Sequence, residues 1–292
     1  MKLSQPIAHL LLFLVALIYG ATFSIAKEVL DDNYISPSGF IVLRISCAVI
    51  LFFIFSRKAR ITISKKDWLR LVLSGLFGAA ANMLLFFYGL KYTTPIHAAL
   101  IMTTTPILVL VIALLLRMEA ISLKKLLGIG LGMTGAVLII TGGKPPDFTP
   151  SHANGDLMVF LNAASYAIYL IIIKDLLKKY PPLVVLRWVF LFGFIFVLPF
   201  GLPSLLHVSW STFPLKIWLA TGYVLFFATF LTYYLNVSAL RVVPASTVSF
   251  YIYLQPVLAT VIATLLGKDH FDLRDSFLFL LIFLGVYLVS KK

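Results

Sequence analysis

Cysteine is almost missing from this chain: Cys47 is the only one in 292 residues, and it lies inside an apolar run. A single thiol closes no disulfide within the chain and builds no cysteine metal cluster, so Cys47 reads as a small packing residue. Charge is scarce too. Only 12% of the residues are charged and eleven are acidic, where a water-soluble domain carries about a quarter charged. His-Glu-x-x-His does not occur, nor does any pair of acids in the middle of an apolar run, which removes the usual chemistry of intramembrane hydrolysis. The phosphate-cradling pattern G-x-x-x-x-G-K-[ST] is absent, so ATP does not drive anything from within this chain. Gly130, Gly132 and Gly135 do have the G-x-G-x-x-G spacing of a dinucleotide site. That motif needs a strand before it and a crevice beside it; here it sits inside an apolar helix, where Gly128 and Gly132 form a small-xxx-small face for close helix packing.

What the chain has instead is hydrophobicity. It is 61% hydrophobic with a mean hydropathy of +1.03, more apolar surface than water tolerates. Ten apolar segments are long enough to cross a bilayer: about 7–26, 37–55, 68–90, 94–116, 125–141, 156–174, 183–200, 217–237, 243–266 and 271–289. The runs are long and unbroken, which favours helices over the short alternating strands of a membrane barrel. The first run resembles the later ones in length, which favours a retained helix over a cleaved leader. The expected fold is an all-α integral membrane protein.

The net charge of +13 reads as a statement about topology rather than nucleic acid. With alternating crossings, sixteen of the 24 Lys and Arg residues fall on the side that holds both termini, six on the other, and Arg44 and Arg187 within segments. Acidic residues divide the opposite way. Basic loops stay in the cytoplasm, so both termini and the 56–67 loop are expected there, with 142–155 outside.

The chain also resembles itself. At a shift of 150, Lys91 falls on Arg241, Pro106 on Pro256, Glu119 on Asp269, Lys124 on Arg274 and Gly135 on Gly285. Nearer the N-terminus the shift is 147, where Tyr19 meets Tyr166 and Lys27 meets Lys174; at 143, Arg44 meets Arg187. Each copy holds five segments. An odd number forces the second copy to enter the membrane from the opposite side, giving two inverted five-helix repeats, the architecture of many secondary transporters.

These residues resemble the EamA-like branch of the drug/metabolite transporter superfamily. Tyr19, Gly20, Ala21, Thr22 and Phe23 followed by Lys27 are similar to the family's first helix. Leu43-Arg44 is similar to its second-helix arginine. Pro95, Pro106, Glu119 and the glycines from Gly128 to Gly135 are similar to its fourth and fifth helices. Pro244, Pro256, Gly267, Asp269 and Gly285 repeat the pattern, with Asp269 where glutamate is usual and Tyr19 where the first helix usually has tryptophan. The resemblance covers two units, 8–141 and 155–290. It implies a ten-helix inner-membrane carrier, often an exporter of amino acids, metabolites or toxic organic compounds, with a central cavity. It leaves the substrate unspecified and coupling to a proton or counter-solute open. The runner-up classes are an intramembrane enzyme and a channel; neither clustered catalytic groups nor a filter-like loop supports them.

Polar and aromatic residues fall in stripes on the segments: Tyr19 with Thr22; Asn82 with Phe86; Asn162, Tyr166 and Tyr169; Thr229, Tyr233 and Asn236; Tyr251 with Gln255. Such stripes are either interhelical glue or the wall of a solvated cavity. Tyr19, Thr22, Asn82, Tyr166, Tyr233, Tyr251 and Gln255 are the candidates for the cavity wall. Arg44 and Arg187, within their helices, and Glu119 and Asp269, at helix ends on opposite sides, are expected in gating or structural roles. His97, near one end of the fourth segment, is expected either in the same gating or structural group or as a packed histidine. No cofactor, metal or nucleic acid is expected, only a small-molecule substrate and membrane lipid.

Overall fold

The computed structural model describes residues 3–31, 34–59, 61–145, 150–265 and 273–290. Among these the chain is helical and contains no strand. The helices are α1 (Gln5–Asp31), α2 (Pro37–Ser56), α3 (Lys65–Tyr92), α4 (Pro95–Met102, continued by Thr105–Leu115) and α5 (Leu123–Thr141). There follow α6 (Ala153–Leu177), α7 (Pro182–Leu206), α8 (Leu215–Leu240), α9 (Ala245–Leu265) and α10 (Leu273–Ser290). Nine of the described helices are long and apolar enough to cross a membrane; in α10 the apolar stretch is the shorter Ser276–Ser290.

Local chemistry sets the starts. Ser36 caps α2 by accepting from the Gly39 amide at 3.2 Å, with Pro37 leading the helix. Thr94 caps α4 through the His97 amide at 3.1 Å, again with proline next. Ser122 caps α5 through the Lys125 amide at 3.2 Å. Each side chain satisfies an amide that the first helical turn leaves without a partner, and proline tolerates that position because it has no amide to satisfy. At its other end α5 stops at Gly142, whose φ of 60° suits glycine.

Two helices widen and two break. In α3, Leu76–Ala80 forms a π turn, and in α8 Phe226–Leu231 does the same 150 positions later. In α4 the helix is interrupted at Thr103 and Thr104, just before Pro106. In α9 it tightens to a 3₁₀ turn at Tyr251–Tyr253, just before Pro256. A proline inside a helix removes one hydrogen bond and crowds the carbonyl four residues earlier, which places each interruption where it is seen.

The helices pack as α2 on α7, α5 on α10, α6 against α3 and α4, and α1 against α8 and α9. The α5–α10 seam is backbone on backbone. A Cβ on Gly128 would meet the Gly285 carbonyl oxygen at 2.8 Å, and one on Gly285 would meet the Gly128 oxygen at 2.7 Å. The interior is filled by residues such as Phe40, Phe52, Tyr169, Phe190 and Tyr253. Leu10, Ile50, Leu115, Leu206, Leu219 and Leu280 are exposed on the surface, an apolar exterior that water does not favour and lipid does.

Candidate functional site

The polar groups of the interior gather where α3 and α8 widen. A π turn sets carbonyls out of register with the helical ladder, and side chains from other helices take them up. Ser165 of α6 donates to the Phe77 carbonyl at 2.8 Å, and Tyr233 of α8 donates to the Gly78 carbonyl at 2.8 Å. Asn162 of α6 donates through its amide to the Asn82 carbonyl. In α8, the Thr229 hydroxyl donates to its own helix at Val224 O, 2.8 Å, and accepts from Arg44 Nε at 3.0 Å. Thr232 donates back to Ala228 O at 2.9 Å and lies 3.3 Å from the Tyr19 hydroxyl of α1. The Tyr166 hydroxyl is 3.5 Å from the Asn236 amide nitrogen. Tyr166 and Tyr169 sit with ring centroids 5.9 Å apart, and Tyr169 and Tyr233 6.3 Å apart.

Tyr19, Tyr166 and Tyr233, with Arg44, therefore share one region made by α1, α2, α6 and α8. The other cavity candidates divide. Thr22 turns its hydroxyl onto its own helix, at Ile18 O, 2.6 Å. Asn82 contributes its backbone carbonyl. Tyr251 lies further toward the chain termini, where its hydroxyl meets His9 Nδ1 at 2.9 Å. Gln255, one turn along α9 and ahead of Pro256, is partly exposed. His9 belongs to a cavity of about 150 Å³ that also involves Gln5, Lys125, Pro244, Thr247 and Ser290.

The two interior arginines differ. Arg44 is buried, 9% exposed, with its guanidinium carbon 5.9 Å from the Phe40 ring and 5.9 Å from the Phe87 ring. Arg187 is less deeply set; it lies against Trp188 and Phe53 and reaches Ser56 Oγ only at 3.5 Å. Glu119, between α4 and α5, accepts from Lys125 Nζ at 2.9 Å and from the Ser246 amide at 3.2 Å, and also bonds the Ser246 hydroxyl. It thereby caps the start of α9. Burial works to raise its pKa, but the bonds from Ser246 and Lys125 outweigh that and hold it below the ordinary carboxylate value. His97, at the start of α4, has Nδ1 3.3 Å from Asp156 Oδ2, and Asp156 also accepts from Thr93. Asp269 lies outside the described residues. Among those residues no three His, Cys, Asp or Glu side chains form a metal-binding group.

Sequence reasoning passed over His9, Asp156 and Ser246. Each contacts a partner dozens to hundreds of positions away, and none stands in a motif; the only signal was polarity at a helix end.

The model of the EamA-like transporter family matches this chain twice, at residues 6–141 and 153–291. The chain is 28% identical over 263 residues to the uncharacterized transporter YyaM of Bacillus subtilis, covering 89% of this chain and 86% of that one. It is 26% identical over 284 residues to an uncharacterized transporter of Archaeoglobus fulgidus, covering 97% of each. It is also 32% identical to the WAT1-related protein At4g01440 of Arabidopsis thaliana, over 127 residues that make up 42% of this chain and 34% of that one. A crystal structure with 19% sequence identity superposes with a TM-score of 0.78, covering 98% of this chain and 96% of the other; at that identity the likeness speaks for the fold alone.

Proposed function

Because the chain belongs to the EamA-like transporter family, within the drug/metabolite transporter superfamily, we propose that it is a secondary transporter working by alternating access. Its cargo in this reading is a small organic metabolite, amino-acid-like or amphipathic, carried outward across the inner membrane. The protein is a multi-pass membrane protein. The proposal adds that all ten helices cross, as two inverted halves, with both termini in the cytoplasm.

One observation carries the reading: the irregular turns come in pairs. The π turns of α3 and α8, and the interruptions of α4 and α9 before Pro106 and Pro256, recur at matching places in the two halves. Irregular backbone at membrane depth is costly unless it lines a cavity or is buried in protein. Matched discontinuous helices in two repeats are the sign of a midplane substrate site. Packing supports the same view, since exchanging α1–α5 for α6–α10 turns the α6 contacts with α3 and α4 into the α1 contacts with α8 and α9. Neutral hydroxyls, amides and rings suit a carrier, which must hold its solute loosely enough to let it go.

The test is flux. Purified protein in liposomes, screened against small metabolites, should move its solute with saturable kinetics and without measurable conductance. Unsaturable ionic current would make it a channel and end this reading.

A further inference from the structure

Two enclosed carboxylates among the described residues are paired. Asp67 takes bonds from Lys179 at 2.9 Å and Tyr180 at 2.9 Å. Glu119 takes them from Lys125 and Ser246. Arg44 is buried as well, yet no described carboxylate lies within ion-pair distance of it. A guanidinium offers five N–H donors in a rigid plane, and here the only hydrogen bond uses Nε, to Thr229. The Thr229 proton is already committed to Val224 O, so the hydroxyl can only accept, and it fixes the plane of the fork. The two terminal nitrogens of Arg44 bond no described residue. Phe40 and Phe87 stand over the guanidinium at 5.9 Å, which offsets part of its desolvation through the rings' negative faces. An unpaired cation kept in such a place is a functional group until shown otherwise.

We propose that Arg44 is the receptor for a carboxylate on the transported solute, and that its free terminal nitrogens select acids over amides and amines. This rests on the transporter reading above and narrows its substrate class. The planar fork matches two carboxylate oxygens at once, the surrounding rings accept an organic body, and a cationic solute without an acid is repelled. Sequence position pairs Arg44 with Arg187, but Arg187 turns to Ser56, Phe53 and Trp188, so the site holds one fork and takes one carboxylate at a time.

The experiment compares matched solutes in liposomes: a panel of small carboxylic acids and amino acids, each against its own amide. The wild type should carry the acids and discriminate against their amides by about tenfold or more, the scale of a lost charge-assisted pair. Arg44→Gln should lose that discrimination, and Arg44→Lys, which keeps the charge and loses the fork, should recover only part of it. Thermal stability and monodispersity of each variant are read alongside; if Arg44→Gln fails to fold, the wild-type comparison of acid with amide decides alone. Equal transport of acids and amides by the wild type overturns the carboxylate receptor and leaves the transporter intact. No saturable transport of either series overturns both.

Discussion

Glu119 is a single side chain that holds two halves of the sequence together. Its carboxylate is nearly enclosed, 5% exposed, yet it binds Lys125 in its own half and the first turn of α9 in the other. Replacing it by glutamine removes the ion pair and weakens the cap, at a cost of about 1–3 kcal/mol, read as a lower melting temperature. Because the folded carboxylate titrates below its ordinary value of 4.5, its contribution is complete above that value and is lost as the pH falls through the folded one. The gap between wild type and Glu119→Gln should therefore stay constant from pH 8 to about 5 and close only in stronger acid; a gap that closes near pH 6 would contradict the assignment. A second residue-scale expectation concerns the two cavity candidates of α9. Gln255→Ala, and Tyr251→Phe, which removes only the hydroxyl bonded to His9, should slow flux severalfold while melting stays near that of the wild type. Unchanged flux in both would return these residues to packing. At this scale the sequence disclosed residue types and faces. It identified Glu119 as a helix-end carboxylate, but its partner Ser246 is 127 positions away and left no local trace. The same is true of His9 beside Tyr251.

Among the elements, the sequence predicts 94–116 and 243–266 as unbroken runs and foresees neither their breaks nor the widenings of α3 and α8. Pro106 and Pro256 mark the places where α4 and α9 break, because a ring without an amide proton removes a helical hydrogen bond, although Pro199 and Pro203 leave α7 unbroken. The π turns carry no such mark: apolar residues run straight through them, and one extra residue in a turn hardly disturbs a hydrophobic pattern. They depend on what faces them. Gly78, in the α3 turn, lies so close to α6 that an added methyl would land on the Tyr169 ring. Gly78→Ala should therefore destabilise by about 1–3 kcal/mol through overpacking. It should also slow transport beyond what the loss of folded protein explains, since Tyr169 backs onto Tyr166 and Tyr233. Flux normalised to folded protein checks this; a normalised rate equal to wild type would confine Gly78 to packing.

For the whole molecule, hydropathy was enough to announce a helical membrane protein, because the cost of burying backbone in lipid admits few alternatives. The doubling, matched twice by the family model, was visible as a drifting series of matches, the pattern that loop insertions would produce. The expected orientation follows from the Lys and Arg counts. In a Cys47→Ala background, single cysteines at Lys58 and Lys144 should react with impermeant reagent from opposite sides: position 58 only after the membrane is opened, position 144 in intact cells. The reverse labelling would invert the topology.

The seam between α5 and α10 has a consequence in time. It joins the middle of the chain to its last helix, and its two glycines meet through bare backbone. More than a hundred residues separate Thr141 from Leu273, and ribosomes add about 5–20 residues per second, so α5 waits on the order of ten seconds for its partner. During that interval the groove at Gly128 lacks the α10 backbone that fills it in the folded protein. A chain cut short before α10 keeps that groove uncovered for good, and so carries on its fifth helix a visible sign that synthesis was never finished.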